Sequence, residues 1–228
     1  MEELNLSLRL KEVASLVPLG SKLLDVGSDH AYLPIYLLKQ KKISGAIAGE
    51  VAVGPYQSAL SNVKAHQLEK LITVRLADGL KALDDFDCVS DITICGMGGR
   101  LISTILENDK EKLSSISHLI LQPNNREEEL RNWLTINQFT IINEKIIEEN
   151  NKIYEIIVAK KGTSNITQIE KQFGPFLLLE KSPVFLKKWQ KEQQKLLFAL
   201  KQIPENYQSE RKQLSRKIKM IKEILNES

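Results

Sequence analysis

The sequence predicts an α/β fold: a mostly parallel sheet that ends in an antiparallel β-hairpin, followed by an antiparallel pair of helices. Three observations predict it. Five short apolar runs each stop at a glycine or a polar residue, and each passes into a segment of helical periodicity. Two longer runs then follow one another with no helix between them, separated by Glu149-Asn150-Asn151-Lys152. Beyond residue 162 strand-like runs cease, and two apolar stripes of helical spacing flank the turn Pro204-Glu205-Asn206.

The elements follow in order. Leu4, Leu8, Val13 and Leu16 mark a helix over residues 3–17, closed by Pro18-Leu19-Gly20. Residues 22–27 read as the first strand and 31–41 as the helix after it. The second strand is 46–51, with a helix over 54–66, and the third is 72–77, stopping at Asp78-Gly79. Residues 91–95 form a fourth strand, broken by Gly96-Met97-Gly98-Gly99, with a helix over 100–107. The fifth, 118–121, ends in Gln122-Pro123-Asn124 and leads into a helix over 126–137. Strands 139–148 and 153–160 make the hairpin. A dinucleotide domain would continue with parallel strands and crossover helices. A terminal antiparallel hairpin is instead the hallmark of the Rossmann-like class I methyltransferase sheet.

Gly174-Pro175 and Ser182-Pro183 punctuate the start of the tail, with Ser182 placed to cap a helix whose first turn holds Pro183. Phe185, Trp189, Leu196, Leu200 and Ile203 form one stripe, and Leu214, Ile218, Ile221 and Leu225 the other, as in a helical hairpin or short coiled coil. The expected organisation is a catalytic-type domain over 1–162 and a basic helical domain over 163–228.

Composition narrows the function. At 42% hydrophobic and 27% charged residues, the chain has the make-up of an ordinary soluble domain. No apolar run approaches the ~20 residues that span a bilayer, and the first ten residues carry two glutamates and no secretory h-region. Cys88 and Cys95 stand in no metal-ligand spacing, so neither a disulfide scaffold nor a metal site is expected. These readings imply a cytoplasmic protein without a membrane partner. The net charge of +3 conceals an asymmetry: residues 163–228 carry 13 Lys/Arg against 7 Asp/Glu, and residues 1–162 carry 19 against 22. A basic tail on an acidic body suits a polyanionic partner, although a solvated lysine-rich helix pair would look the same.

In open α/β sheets ligands bind beyond the carboxyl ends of the strands, and four of those ends carry candidate residues here. After the first come Asp25, Gly27, Ser28, Asp29 and His30. Asp29 and Ala31 stand where a Gly-x-Gly-x-Gly run would have its later glycines. A carboxylate there repels a pyrophosphate and suits a cationic ligand, which disfavours a nicotinamide dinucleotide and favours S-adenosylmethionine, a sulfonium without phosphate. Glu50, followed by Val51, ends the second strand 25 residues beyond Asp25, where a carboxylate can accept from both ribose hydroxyls. Asp78 and Gly79 end the third, placed to receive the adenine amino group. Gly96, Met97 and Gly98 give the fourth a bare backbone. Each also has a plain structural role: Asp25 holding loop amides, Glu50 an exposed strand end, the glycine pair a tight turn, His30 a packed histidine. Their shared edge is what points to a site.

The strings Asp25-Val26-Gly27-Ser28-Asp29-His30-Ala31-Tyr32-Leu33-Pro34, Gly49-Glu50, Ala77-Asp78-Gly79-Leu80, Cys95-Gly96-Met97-Gly98-Gly99 and Gln122-Pro123-Asn124 together resemble the bacterial tRNA adenine-22 N1-methyltransferase family, over about residues 6–160. The resemblance implies a class I fold, S-adenosyl-L-methionine as methyl donor, and N1 of adenine 22 in the tRNA D-arm as acceptor. Asp29, His30 and Asn124 are then the candidates at the reacting centre, with Tyr32 shaping the pocket. The candidates for the cofactor are Asp25, Gly27, Ser28, Asp29, Glu50, Val51, Asp78, Gly79, Gly96, Met97 and Gly98. In the tail, Lys188, Lys191, Arg216 and Lys219 are candidate contacts to tRNA phosphates, and no obligate protein partner is evident. Two alternatives stay open on the residues alone: a methyltransferase of another acceptor, and a non-catalytic RNA-binding protein on the same fold.

Overall fold

A computed structural model describes residues 5–226. Strands β1 (Ser21–Val26), β2 (Ile43–Glu50), β3 (Ile72–Leu76), β4 (Asp91–Met97) and β5 (His118–Pro123) run parallel, and β6 (Phe139–Glu149) and β7 (Lys152–Lys161) complete a seven-stranded sheet of order β3-β2-β1-β4-β5-β7-β6. β7 inserts between β5 and β6 and is antiparallel to both. The hairpin turn is tighter than its sequence suggests. Glu149 and Lys152 belong to the strands, and Asn150 and Asn151 alone make the turn at φ +51° and +62°, the left-handed pair of a two-residue hairpin loop.

Both faces of the sheet are covered. Leu23, Ala46, Ala48 and Ile120 pack under α1 (Leu8–Leu16), α2 (Tyr32–Lys39) and α3 (Val53–Ala65). Leu24, Ile92, Leu119 and Leu121 point the other way, against α4 (Gly99–Asn108) and α5 (Glu127–Ile136). Strands buried on both faces read as continuous apolar runs, which is why these were legible. The strand order reverses between β1 and β4, and that switch point opens a crevice at the carboxyl edge.

Several boundaries shift for local reasons. Residues 1–4, including the expected helix start at residue 3, lie outside the described residues. α1 begins at Leu8, where the Ser7 hydroxyl accepts from the Leu10 N–H at 3.2 Å. β4 does not break at Gly96. It runs on to Met97 through a register shift against β5, with Gly96 at φ +76°, so the glycine marks a bulge.

The chain divides into two compact units, the first ending at Phe176 and the second beginning at Leu177, later than the expected boundary at 162. The reason lies in 163–176. Thr167 and Glu170 form a capping box that starts the short helix α6 (Gln168–Phe173), which packs on α5. The fully buried Arg131 guanidinium pairs with Glu144 and Glu155 and donates to the Lys171 carbonyl at 3.2 Å, while Glu144 accepts the Phe176 N–H at 3.0 Å. A further short helix, α7 (Pro175–Glu180), spans the division.

The second unit is a helical hairpin. Ser182 caps α8 (Pro183–Gln202), and α9 (Gln208–Asn226) returns antiparallel to it: Glu192 lies 3.7 Å from Lys217, and Lys181 donates to the Ile224 carbonyl at 3.3 Å. Phe185, Trp189, Leu196, Ile221 and Ile224 are buried; Ile224 takes the place expected for Leu225. Among the described residues no helix is long and apolar enough to cross a membrane.

Candidate active site

The carboxyl end of β1 is built around a buried carboxylate. Asp25 accepts from the Ser28 and Thr93 hydroxyls, each at 2.6 Å. Burial pushes its carboxyl up to about 6 against those two donors, with Glu50 and Asp29 adding repulsion. Gly27 sits at φ +65°, and a Cβ there would lie 2.3 Å from the Met97 methyl. The Gly27 and Ser28 N–H groups both donate to the Gly49 carbonyl, tying this loop to β2.

Three consecutive non-glycine residues then adopt the left-handed conformation: Asp29, His30 and Ala31, at φ +43°, +67° and +59°. Each costs roughly 1 kcal/mol or more, so the surroundings must hold them. The Asn62 amide donates to the His30 carbonyl at 3.0 Å, the Asp29 N–H donates to the Glu50 carboxylate, and Ala31 is fully buried. The turn presents the Asp29 side chain, 85% exposed, beside a His30 ring stacked on Tyr32 at 5.3 Å.

Glu50 ends β2 at 5% exposure, and its Oε1 has no hydrogen-bond partner. Burial raises its carboxyl above the usual range. An orphaned buried acceptor is expensive to keep unless a ligand donates to it. Ala77, which donates to the Glu50 carbonyl at 2.8 Å, brings exposed Asp78 alongside. Gly79 follows at φ +57°, where a Cβ would sit 2.9 Å from Ile105 Cγ2. Val51 is exposed.

Across the switch point, the loops after β4 and β5 are joined through Gln122 and Asn124. The fully buried Gln122 amide accepts from the Gly96 N–H at 3.0 Å and donates to the Pro123 carbonyl and to Asn124 Oδ1. Asn124 Nδ2 donates to the Gly96 carbonyl at 2.7 Å. The Asn124 amide therefore bridges the two loops and keeps one N–H and one lone pair for a ligand. At Gly98 and Gly99, Cβ atoms would stand 2.9 Å from Asn125 Oδ1 and 2.4 Å from the Arg126 carbonyl oxygen, so this glycine pair lets α4 start against the β5 loop.

Asp25, Gly27, Ser28, Asp29, Met97 and Asn124 line one cavity of about 340 Å³, together with Gly96. Glu50, Val51, Asp78 and Gly79 cluster beside it at the ends of β2 and β3; His30 and Gly98 lie outside its lining. Sequence reasoning missed Arg9 and Leu10 of α1, Leu33, Cys95, and Tyr154 of β7 among the lining, and Thr93 beneath it. The Cys95 thiol is pushed far up by burial and stays neutral. The donor set fits a sulfonium nucleoside: an unpartnered acceptor for ribose hydroxyls, carboxylates for positive charge, and bare backbone at the two glycine turns.

In the second unit the candidate cations lie on both helices. Lys191, Arg216 and Lys219 are exposed, the last within 3.7 Å of Glu223, and the Lys188 ammonium lies 5.4 Å from the Trp189 ring centroid.

Comparison with known proteins agrees with this geometry. Residues 23–223 match the model of the family described as TrmK, tRNA (adenine(22)-N(1))-methyltransferase. The chain is similar to the tRNA (adenine(22)-N(1))-methyltransferase of Bacillus subtilis (strain 168), at 41% identity covering 99% of both chains. Among solved structures it is similar to a Streptococcus pneumoniae protein in complex with S-adenosyl-L-methionine, at 54% identity, 97% and 100% coverage and a TM-score of 0.92. It is also similar to M. capricolum TrmK in complex with S-adenosyl-homocysteine, at 30% identity, 97% and 98% coverage and a TM-score of 0.89.

Proposed function

The chain belongs to the tRNA (adenine(22)-N(1))-methyltransferase family, and on that premise we propose that it methylates N1 of adenine 22 in the D-arm of tRNA, using S-adenosylmethionine. The single observation that carries the reading onto these residues is the buried, unpartnered Glu50 Oε1 at the end of β2, beside a glycine turn closed by acidic groups.

When bound, S-adenosylmethionine supplies a methyl group on a positively charged sulfur. Adenine N1 attacks that carbon as the carbon–sulfur bond breaks, so the sulfur becomes neutral and the charge moves to the adenine ring. N1 carries a free lone pair at neutral pH, so no protein base has to remove a proton first. The protein must instead free N1 from pairing, align it and exclude water. Extruding the base costs a few kcal/mol, recovered by stacking and edge contacts.

Glu50 accepts from the ribose, Asp78 and Gly79 hold the adenine end, and Val51 covers it. Asp25, Gly27, Ser28, Gly96, Met97 and Gly98 surround the methionyl end. Asp29 faces the reacting centre, where a carboxylate favours the charge that develops on the ring, and His30 and Tyr32 form one wall. The remaining lone pair of Asn124 Oδ1 accepts from the adenine N6 amino group. Lys188, Lys191, Arg216 and Lys219 contact tRNA phosphates. Cytoplasmic tRNA is the substrate pool that suits a chain with these properties.

The test is incubation of unmodified tRNA transcripts with the protein and S-adenosylmethionine, followed by mass spectrometry mapped to one nucleotide. A single 1-methyladenosine at position 22, absent when that position is guanosine, is expected. A methyl group at another nucleotide, or cofactor binding without any transfer, would overturn the reading.

A further inference from the structure

Arg9 is the one positively charged residue among those lining the cavity beside Asp25. It lies in the first turn of α1, and two sets of contacts fix it. Its Nη1 donates to Gln122 Oε1 at 2.5 Å, and the guanidinium carbon lies 5.6 Å from the Tyr154 ring centroid. Gln122 cannot swing away: it is fully buried, its Oε1 accepts from both Arg9 and Gly96, and both Nε2 hydrogens are engaged. The start of α1 is held as well, because the Glu149 carboxylate accepts the Leu8 N–H at 2.6 Å and the Arg9 N–H at 3.2 Å. A guanidinium offers five N–H donors in a rigid fork. Gln122 takes one, and what remains is an anion receptor oriented before any ligand arrives.

Two anions could meet it: the α-carboxylate at the methionyl end of the cofactor, or a phosphodiester of the RNA. The neighbours decide between them. Asp25 and Asp29 line the same cavity, and they oppose a phosphodiester, which brings negative charge alone. The methionyl end brings an ammonium and a carboxylate together, matching a cavity that holds both signs.

We propose that Arg9 receives the α-carboxylate of S-adenosylmethionine, which makes α1 part of the cofactor site and not merely a cover for the sheet. This rests on the cofactor reading above. Tyr154 and Gln122 act as positioning residues for Arg9.

The test is a set of titrations of the full-length wild type, Arg9→Gln and Arg9→Lys. S-Adenosylhomocysteine carries the amino-acid end; 5′-methylthioadenosine keeps the nucleoside and thioether without it. Arg9→Gln is expected to weaken S-adenosylhomocysteine 10- to 100-fold and to leave 5′-methylthioadenosine and tRNA affinity within twofold, with Arg9→Lys in between. Unchanged S-adenosylhomocysteine affinity, or an equal loss for both nucleosides, would overturn the inference. So would a loss confined to tRNA, which would assign Arg9 to a phosphate. Should Arg9→Gln fail to fold, the charge-preserving Arg9→Lys carries the same comparison, with a selective loss expected and an equal loss excluded. If the wild type bound neither nucleoside, the cofactor reading itself would fall, an outcome distinct from the others.

Discussion

At the carboxyl edge of the sheet, buried polar atoms other than Glu50 Oε1 have fixed partners: Asp25 has two hydroxyls, Gln122 has four contacts, and the Asp29–Ala31 turn is clamped by Asn62 and Glu50. Along α8 and α9 the candidate cations Lys191, Arg216 and Lys219 stand in solvent, and three ion pairs there are long, at 3.7 Å for Lys195–Glu192, Lys217–Glu192 and Lys219–Glu223. Such pairs contribute little each. The contrast teaches how the two recognition tasks differ. Holding one cofactor requires a few atoms placed to a fraction of an ångström, so single changes there should be severe. Holding a polyanion requires summed charge, so single changes in the tail should be mild and salt-dependent.

The largest expected effect is at Glu50. Its carboxylate is assigned two ribose hydroxyls, and charge-assisted hydrogen bonds are worth about 1.5–3 kcal/mol each. Glu50→Ala should weaken S-adenosylmethionine by 100-fold or more in a binding titration. A loss below threefold would break the comparison at its strongest point.

Gly99→Ala should come next, acting through the fold. Its Cβ would stand 2.4 Å from the Arg126 carbonyl oxygen, and that backbone caps α5. Overpacking of this kind costs about 1–3 kcal/mol, and at roughly 2–4 °C per kcal/mol for a chain of this size the midpoint should fall by several degrees. An unchanged melting curve would show that the α4 and α5 loops are looser than described.

A smaller effect concerns pH. Asp25 titrates at about 6 in the folded chain against an ordinary 3.8, so the native state binds its proton more tightly than the unfolded state does. Its contribution to stability is full below about pH 4 and lost as pH rises through 6. Between pH 5 and 7 wild type should lose about 1 kcal/mol relative to Asp25→Asn in urea denaturation. A constant difference would mean that Asp25 is charged throughout.

The smallest effects belong to the tail. Lys191→Ala or Lys219→Ala alone should weaken tRNA binding no more than about threefold, and each should reduce the slope of log affinity against log salt by about 0.7–0.9. A single tail variant that abolished binding would show that the tail, too, works through one precise contact.

Legibility in the sequence followed the same division. Four of the five expected βα units could be read because the central strands, buried on both faces, carry apolar runs, whereas β3, mostly unburied, leads only into 3-10 turns over residues 79–82 and 85–87. Glu50 could be located because a carboxylate at the end of the second strand has a geometric meaning. The run of β4 through Gly96 could not, since a bulge and a strand end look alike around a glycine. α6 and α7 are each six residues long, too short to show a stripe. Arg9 and Tyr154 reach the cavity from far along the chain on either side of the site motifs, and no local pattern distinguishes a cavity-lining arginine from a solvated one. In the tail both stripes were plain, yet Ile224 was buried in place of Leu225, because helical drift decides between neighbours only once the partner helix is present.

The division of labour is tested most directly by methyl-transfer kinetics of the full chain carrying Lys188→Ala, Lys191→Ala, Arg216→Ala and Lys219→Ala together. KM for tRNA should rise tenfold or more, with kcat at saturating tRNA and S-adenosylmethionine affinity both within twofold of wild type. A fall in kcat at unchanged KM, or a loss of cofactor binding, would contradict it.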